Sequence, residues 1–313
     1  MTVSCSVIIR AYNEAQHLEK LFTGLARQSL ADFEIILVDS GSTDATVEIA
    51  SRAGARIVRI KPGEFTFGRS LNRGIAAATA GLVVIASAHV YPVYPDWLER
   101  LLDPFSDPAT AVTYGKQRGG ETTQFSEEQI FFRWYPDESQ PRQPHPFCNN
   151  ANAAIRRSLW EKHAYDESLP GLEDLAWARW AFEQGQRIVY VPEAEIIHVH
   201  HETPRGVYNR YRREGMAFKQ IYPQEQFHLA DFIRLFTGNA SSDLREAARQ
   251  KRLARSWRGI LWFRWMQFWG TYQGYRQSGP LTWQLKQAFY YPGQGGTGEA
   301  ARREVAPIEY PER

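Results

Sequence analysis

The fold of this chain is decided by two short apolar runs, CSVIIR at residues 5–10 and EIILVD at residues 34–39. Each run is followed by a segment in which apolar side chains recur every three or four residues, as in an amphipathic helix. Two more apolar runs and an alanine-rich helical segment continue the alternation, at 55–60, 82–86 and 70–80. Strands that alternate with helices in this way predict an α/β fold with a doubly wound, mostly parallel sheet.

Polar side chains follow three of the predicted strands at the point where each strand ends. They form the segments RAYNE (10–14), DSGS (39–42) and SAH (87–89). Because ligands of doubly wound sheets bind beyond the carboxyl ends of the strands, these segments predict one binding site. Asp39 is placed to accept hydrogen bonds from a base or ribose, and the next helix offers free N–H groups to an anion. Taken alone, Asp39 and Ser42 are better explained as residues that cap this helix and close a turn.

Several common motifs are absent from the sequence. It contains no Gly-x-Gly-x-x-Gly after the first strand, no Gly-x-x-x-x-Gly-Lys-Ser/Thr and no Gly-x-Ser-x-Gly. A dinucleotide-binding Rossmann domain, a P-loop enzyme and an α/β-hydrolase are therefore excluded. Nucleotidyl transfer on a similar sheet is disfavoured, because Glu14 stands where a glycine-rich phosphate loop with a lysine is expected.

The composition is that of a globular protein, with 43% hydrophobic and 23% charged residues. Two cysteines form neither a disulfide framework nor a four-thiolate zinc site. The sequence shows no spanning helix and no signal segment, so we expect a cytoplasmic protein. The net charge of +2 conceals an asymmetry: residues 1–204 carry 19 Lys and Arg against 26 Asp and Glu, whereas residues 205–313 carry 18 against 9. The basic part indicates either an anionic partner other than nucleic acid or a solvated face.

Two of these segments also resemble the opening motifs of the family-2 glycosyltransferases with the GT-A fold. They are SVIIRAYNE (6–14) and ILVDSGSTDAT (36–46), and LNRG (71–74) is similar to the family's next segment. The sequence GLED (171–174), followed by Trp177, resembles its Glu-Asp catalytic motif. The resemblance covers about residues 4–200. It implies an inverting transfer of a sugar from a nucleotide-diphosphate donor of the UDP, dTDP or GDP type. The implied acceptor is a hydroxyl of a glycan or of a lipid-linked molecule, as in the synthesis of cell-envelope polysaccharide.

The resemblance also assigns roles to residues. Asp174 is the expected general base, and Glu173 supports the acceptor. A position at a helix N-terminus is expected to keep Asp174 ionised at neutral pH. The residues expected to bind the nucleotide-sugar are Arg10, Tyr12, Glu14, Asp39, Ser40, Ser42, Arg69, Arg73, Ser87, His89 and Asn150. Among these, Asn150 serves equally well as a turn residue.

Two details narrow the expected donor and reaction. The loop FTFGR (65–69) resembles that of rhamnosyltransferase-like members, although Leu71 replaces the usual arginine before the asparagine. No Gln-x-x-Arg-Trp signature follows Asp174, which favours a single transfer over polymer synthesis.

A departure from the family concerns the metal. The family usually ends its fourth strand with Asp-x-Asp, which holds Mg²⁺ or Mn²⁺, whereas this chain has Ser87-Ala88-His89. His89 is able to bind Mn²⁺ together with His198 or His200, which share one face of a strand. Alternatively, the histidines form an exposed run, and Arg10, Arg69 or Arg73 stabilises the leaving diphosphate without a metal. The missing acids also leave open a catalytically silent protein that binds a sugar nucleotide.

The last third is expected to be mostly helical and includes the segment WRGILWFRWMQFW (257–269). On a helix, one stripe contains Trp257, Leu261, Trp265, Phe268 and Tyr272, and it is interleaved with Arg252, Arg255, Arg258 and Arg264. This pattern predicts either a helix on an anionic membrane surface, at the inner face of the cell membrane, or a helix packed on the catalytic domain or in a homodimer. The expected organisation is a catalytic domain at 1–203, a helical extension at 204–292 and a disordered tail at 293–313.

Overall fold

The computed structural model describes residues 3–61, 64–200, 202–276 and 305–310. Within these residues, the strands are β1 (Cys5–Ala11), β2 (Phe33–Asp39), β3 (Arg56–Arg59), β4 (Leu82–Ser87), β5 (Val90–Pro92), β6 (Thr110–Gly119), β7 (Asn152–Arg156) and β8 (Arg187–His198). The helices are α1 (Ala15–Ala26), α2 (Thr46–Arg52), α3 (Phe67–Ala77), α4 (Trp97–Leu102), α5 (Phe125–Trp134), α6 (Arg157–Trp160), α7 (Glu173–Glu183), α8 (Pro204–Ile221), α9 (Leu229–Arg249) and α10 (Leu253–Arg276).

All eight strands belong to one sheet with the order β3-β2-β1-β4-β7-β6-β8-β5. The pairs β3–β2, β2–β1, β1–β4 and β6–β8 are parallel, whereas β7 and β5 run antiparallel to their neighbours. The chain builds outward from β1 to β3 and then returns to β4 on the other side of β1. A crevice is expected beyond the carboxyl ends of β1 and β4, at this change of direction.

The centre of the sheet is covered on both faces. Val7 and Ile9 pack with α1 on one face, whereas Ile8 packs with α3 on the other, and all three side chains are fully buried. The approach of α3 is close, because a Cβ at Gly74 would lie 2.5 Å from Ile8 Cγ2. Continuous apolar runs are the sequence pattern of strands covered in this way, so the predicted doubly wound, mostly parallel sheet is confirmed.

Three local predictions are wrong or incomplete. The sequence from Ala151 to Lys162 predicts a helix, but the chain forms strand β7 there and only one helical turn, α6. Ala153 and Ala154 are fully buried between the layers that cover β4 and β6, and this tertiary packing overrides their helix propensity. The expected loop after residue 90 contains edge strand β5, where Pro92 is tolerated. Neither β6 nor α5 was predicted.

Between residues 204 and 276 the chain forms three long helices. Backbones of α8 and α10 approach so closely that a Cβ at Gly270 would lie 2.5 Å from Tyr208 O. None of the helices that the structure describes has an apolar stretch long enough to cross a bilayer. The expected helical continuation beyond Arg276 lies outside the described residues. Residues 305–310, expected to be part of a disordered tail, instead contact the edge of the sheet, where Ile308 N–H donates to Val93 O over 2.8 Å.

Candidate active site

The loops after β1 and β2 are tied together by side chains that bond to the opposite backbone. Asn13 Oδ1 accepts from Thr43 N–H over 2.8 Å, and Ser42 Oγ accepts from Asn13 N–H over 2.9 Å. The buried Asp39 carboxylate accepts from the backbone N–H groups of Gly41 (3.2 Å) and Ser42 (3.0 Å). Asp39 therefore closes the turn, and its remaining lone pairs are available to a ligand. Helix α2 begins only at Thr46, so the expected N-cap at Ser42 or Thr43 is wrong.

The carboxylate of Asp174 is held at the first turn of α7. Its Oδ2 accepts from Asn150 N–H over 3.1 Å, and its Oδ1 accepts from Leu175 N–H over 2.8 Å. Leu172, immediately before the helix, has a φ of 56°, a left-handed conformation that is rare for non-glycine residues. Backbone strain of this kind persists where the surrounding structure fixes a functional group.

Glu173 connects α7 to the ends of the strands. Its Oε1 lies 2.9 Å from Arg10 Nη1, and both side chains are largely buried. Arg10 pairs in register with Val38 of β2 and Ser87 of β4, next to the loops that follow these strands. The structure therefore places the Glu-Asp pair at the end of β1, beside the loops that follow β2 and β4.

The environment of Asp174 changes its protonation. Burial and the neighbouring negative charge of Glu173 raise the pKa of Asp174 to about 7, against the two backbone hydrogen bonds and the positive charge of Arg10. Burial therefore works against the helix N-terminus, which was expected to favour the anion at Asp174. A carboxyl with a pKa near the working pH is well suited to accept a proton during a reaction.

Three histidines converge beside the strand ends. The ring centroids of His89 and His198 are 5.1 Å apart, and those of His198 and His200 are 4.1 Å apart. Each Nδ1 atom meets an oxygen: Glu14 Oε1 at 3.1 Å from His89, Gln117 Oε1 at 2.8 Å from His198, and Glu127 Oε1 at 2.8 Å from His200. His198 is 6% exposed, so the alternative of an exposed histidine run does not hold for it. His201 lies outside the described residues.

The histidine cluster fits a divalent transition-metal ion. One ligand atom from each of His89, His198 and His200 lies within 4.8 Å of the others. The buried Nε2 of His198 has no hydrogen-bond partner among the described residues. Burial, followed by the charges of its neighbours, lowers the pKa of His198 well below its usual value, which leaves the neutral ring that a metal requires. Oxygen partners on the outer ring nitrogens are the usual support of metal-binding histidines.

Comparison with known proteins identifies the family. The sequence model described as glycosyl transferase family 2 matches residues 6–163, about half of the chain. The chain belongs to glycosyl transferase family 2. It is 28% identical over 225 residues to the O-antigen chain rhamnosyltransferase WbaN of Salmonella anatum, which covers 68% of this chain and 71% of that protein. It is 26% identical over 224 residues to the O-antigen chain rhamnosyltransferase RfbN of Salmonella typhimurium, with 67% and 71% covered.

Solved structures agree on the fold of this glycosyltransferase. A mannosyltransferase from Pyrobaculum calidifontis, in complex with GDP-Man and Mn²⁺, superposes with a TM-score of 0.60 at 19% identity over 86% of this chain and 85% of that one. TarS 1-349 of S. aureus, in complex with UDP-GlcNAc, gives a TM-score of 0.55 at 15% identity over 88% and 92%. The expected GT-A fold is therefore confirmed.

The remaining predicted site residues of the glycosyltransferase lie in different environments. Arg69 forms an ion pair with Glu167 over 2.6 Å, and Arg73 is exposed. Tyr12 is also exposed, whereas Ser40 and Asn150 are buried in or near the cleft. Asn150 Nδ2 is buried and lacks a hydrogen-bond partner within the described part of the chain, so it is able to donate to a ligand. Arg10 is thus the predicted cation that contacts the Glu-Asp pair.

Sequence reasoning missed the residues that α8 adds to the site. Phe67 lies between two guanidinium groups, 5.1 Å from Arg10 and 4.7 Å from Arg213 of α8. Arg210, one turn earlier on α8, contacts Glu127 over 2.8 Å, beside His200. Although burial opposes it, the charges of Arg210 and His200 lower the pKa of Glu127 to about 2. These contacts join residues about 80 to 150 positions apart, and no local pattern indicates them.

Proposed function

We propose that this glycosyltransferase moves a sugar, with inversion at the anomeric carbon, from a nucleoside diphosphate donor to a hydroxyl acceptor. The observation that carries the proposal is the position of Asp174. It heads α7, lies next to the ion pair between Glu173 and Arg10, and has a pKa near neutrality. An inverting transfer needs one carboxylate on the acceptor side of the sugar, and a positioned base contributes about 10²–10⁴ in rate.

In the proposed reaction, Asp174 takes the proton of the acceptor hydroxyl as its oxygen attacks the anomeric carbon. The new C–O bond forms on one face of the sugar while the bond to the donor's phosphate oxygen breaks on the other. The electron pair of the broken bond leaves with the nucleoside diphosphate. Arg10 remains beside Glu173, where its positive charge stabilises the charge that develops on the leaving diphosphate. Asp39, Ser40 and the N–H groups after β2 would contact the nucleoside.

The three histidines would hold a divalent cation of the Mn²⁺ type, which supplies positive charge to the diphosphate when bound. Glu14, Gln117 and Glu127 contact Nδ1 of the three histidines, which would leave the other ring nitrogens for the cation. Arg210 in turn balances the charge of Glu127. This arrangement of the chain's own residues would replace the usual Asp-x-Asp carboxylates.

The proposed donor is a deoxyhexose nucleotide of the dTDP type, with UDP and GDP sugars as the alternatives. Two similar relatives are named O-antigen chain rhamnosyltransferases, which supports rhamnose as the sugar. The words "O-antigen chain" in these two names support a glycan or lipid-linked acceptor of the cell envelope. A single transfer is proposed because no Gln-x-x-Arg-Trp signature follows Asp174.

The test is a transfer and hydrolysis assay across dTDP-rhamnose, UDP-GlcNAc and GDP-mannose, with the product anomer assigned by NMR. We expect turnover on dTDP-rhamnose with inversion, and a loss of about 10²–10⁴ in kcat in Asp174→Asn with nucleotide binding retained. Asp103→Asn, which changes an exposed carboxylate directly after α4, is the matched control. Retention of configuration would refute the mechanism. Tight binding of a donor without turnover on any of them would instead indicate a silent sugar-nucleotide-binding protein.

A further inference from the structure

The helices α9 and α10 present large apolar side chains to solvent. On α10 these follow a spacing of four residues, and the first turns of α9 add two more. Six residues form what we call the α9–α10 apolar face: Leu229, Ile233, Leu253, Trp257, Leu261 and Trp265. Each of them is between 36% and 52% exposed, which is unusual for side chains of this size in one region.

The face is continuous across the two helices. Trp265 of α10 makes edge contacts with Phe232 and Phe236 of α9, at centroid distances of 5.1 and 5.3 Å. Phe232 is buried, so it supports the indole of Trp265 from below. Ile233 is next to Phe232 on α9 and is exposed. From Leu253 to Trp265 the α10 part alone extends over about 18 Å.

Positive charge surrounds this face. Residues 229–276 contain nine Arg and Lys and three Asp and Glu, a net charge of +6. Arg258 is exposed beside the stripe, and its guanidinium lies 5.2 Å from the Trp257 ring. Arg255 is also exposed, but it lies on another side of α10, in a groove with Glu121 and Glu128. Two arginines of this region do not take part: Arg264 is buried in an ion pair with Asp243, and Arg252, just before α10, pairs with Glu128. The expected single stripe also ends earlier, because Phe268 is fully buried.

We propose that the α9–α10 apolar face docks on the surface of an anionic lipid bilayer. Indole rings with a polar edge favour the boundary between headgroups and acyl chains, and arginines next to them favour anionic headgroups. The face lies along the helices, so α10 would rest in the plane of the interface. A second copy of the chain would bring the same arginines of both copies together, which disfavours a dimer through this face. The inference does not depend on which sugar is transferred.

The experiment is co-sedimentation of the full chain with vesicles of phosphatidylcholine, with and without 30% phosphatidylglycerol. We expect binding to the anionic vesicles, and a several-fold decrease between 0.1 and 0.5 M NaCl because salt screens the arginines. The double variant Trp257→Ser/Trp265→Ser is expected to lower the partition coefficient by about tenfold or more. Arg258→Glu should weaken the preference for anionic vesicles.

The matched control is Phe182→Ser, which removes an aromatic side chain on α7 that is 38% exposed and lies outside the face. Circular dichroism establishes that each variant folds, and transfer to a soluble acceptor should be unchanged in the tryptophan variant. Equal sedimentation of the wild type and the tryptophan variant would overturn the proposal. A dimer that the tryptophan variant dissociates, with no vesicle binding by the wild type, would instead assign the face to a second copy. Loss of transfer in Asp174→Asn leaves this result unaffected, so the two proposals fail separately.

Discussion

Replacing Asp174 by Asn is expected to remove activity and, at alkaline pH, to make the fold more stable than that of the wild type. An aspartate in an unfolded chain has a pKa of about 3.9, whereas burial and the charge of Glu173 raise the pKa of Asp174 to about 7 in the fold. Between these two values the folded protein keeps a proton that the unfolded chain has released. The free energy of unfolding of the wild type therefore falls as the pH rises from about 4 to 7.

The magnitude follows from the difference of about three pKa units. Each pKa unit corresponds to about 1.36 kcal/mol, so ionisation of Asp174 lowers the free energy of unfolding by up to about 4 kcal/mol above pH 7. At pH 5 the loss of unfolding free energy corresponds to only about one of these pKa units. The free energy of unfolding of the wild type should therefore fall by a further amount of about 2–3 kcal/mol between pH 5 and pH 8. Because Asp174 is half-buried, solvent screens its charge, and both of these free-energy values are upper limits. Asparagine has no charge at either pH, and any hydrogen bond that it loses weakens the variant equally at both.

The assay is urea unfolding of the wild type and Asp174→Asn at pH 5 and pH 8, alongside the transfer rate. Relative to the wild type, the variant should gain up to about 2–3 kcal/mol in free energy of unfolding when the pH is raised, while kcat falls by about 10²–10⁴. Asp103→Asn, on an exposed carboxylate, should show no such gain. A stability difference that is the same at both pH values would mean that Asp174 titrates as an ordinary aspartate, and the proposed role as a base poised near neutrality would fail.

Three further predictions concern the site and the helices behind it. Glu173→Gln removes a negative charge next to Asp174 and should lower the pKa of that carboxyl. The acid limb of the profile of kcat/KM against pH should therefore move to lower pH by about one unit. An unmoved limb would contradict the effect of the Glu173 charge on Asp174. His198→Ala should weaken Mn²⁺ binding, measured by calorimetry, at least about tenfold, whereas His145→Ala, which changes a histidine outside the cluster, should leave it unchanged. Asp243→Asn leaves the buried guanidinium of Arg264 without its charge partner. It should lower the free energy of unfolding, measured in urea, by about 3–5 kcal/mol. A decrease of less than about 1 kcal/mol would show that the hydrogen bonds to Gln267 and Ser126 are enough to stabilise the buried guanidinium.

The sequence predicted those parts of the molecule that local patterns determine. Apolar runs predicted the first four strands, and the polar residues after β1 begin with Arg10, whose side chain contacts Glu173. The failures have a common physical origin, because they depend on contacts between distant segments. The alanines of β7 favour a helix locally but are buried between two strands. The pKa of Asp174 is decided by burial that the chain acquires only on folding, and this outweighs the helix N-terminus that the sequence revealed.

The expected division into a catalytic domain and a helical extension understates what the extension contributes. Helix α8 begins at Pro204, outside the predicted catalytic domain, yet its Arg210 holds Glu127 beside His200 and its Arg213 stacks on Phe67 next to Arg10. A site with the proposed metal and base is therefore incomplete without α8.

Helix α8 in turn packs backbone to backbone on α10 at Gly270, and α10 carries most of the α9–α10 apolar face. If that face rests on lipid as we propose, the helix in the interface is packed directly on the helix that supports the histidine cluster and the cation pair of the cleft. The C-terminal helices would then fix the cleft relative to the bilayer surface, as an acceptor anchored in lipid requires. An extension that only tethered the enzyme would have no need of the two arginines that α8 places in the site.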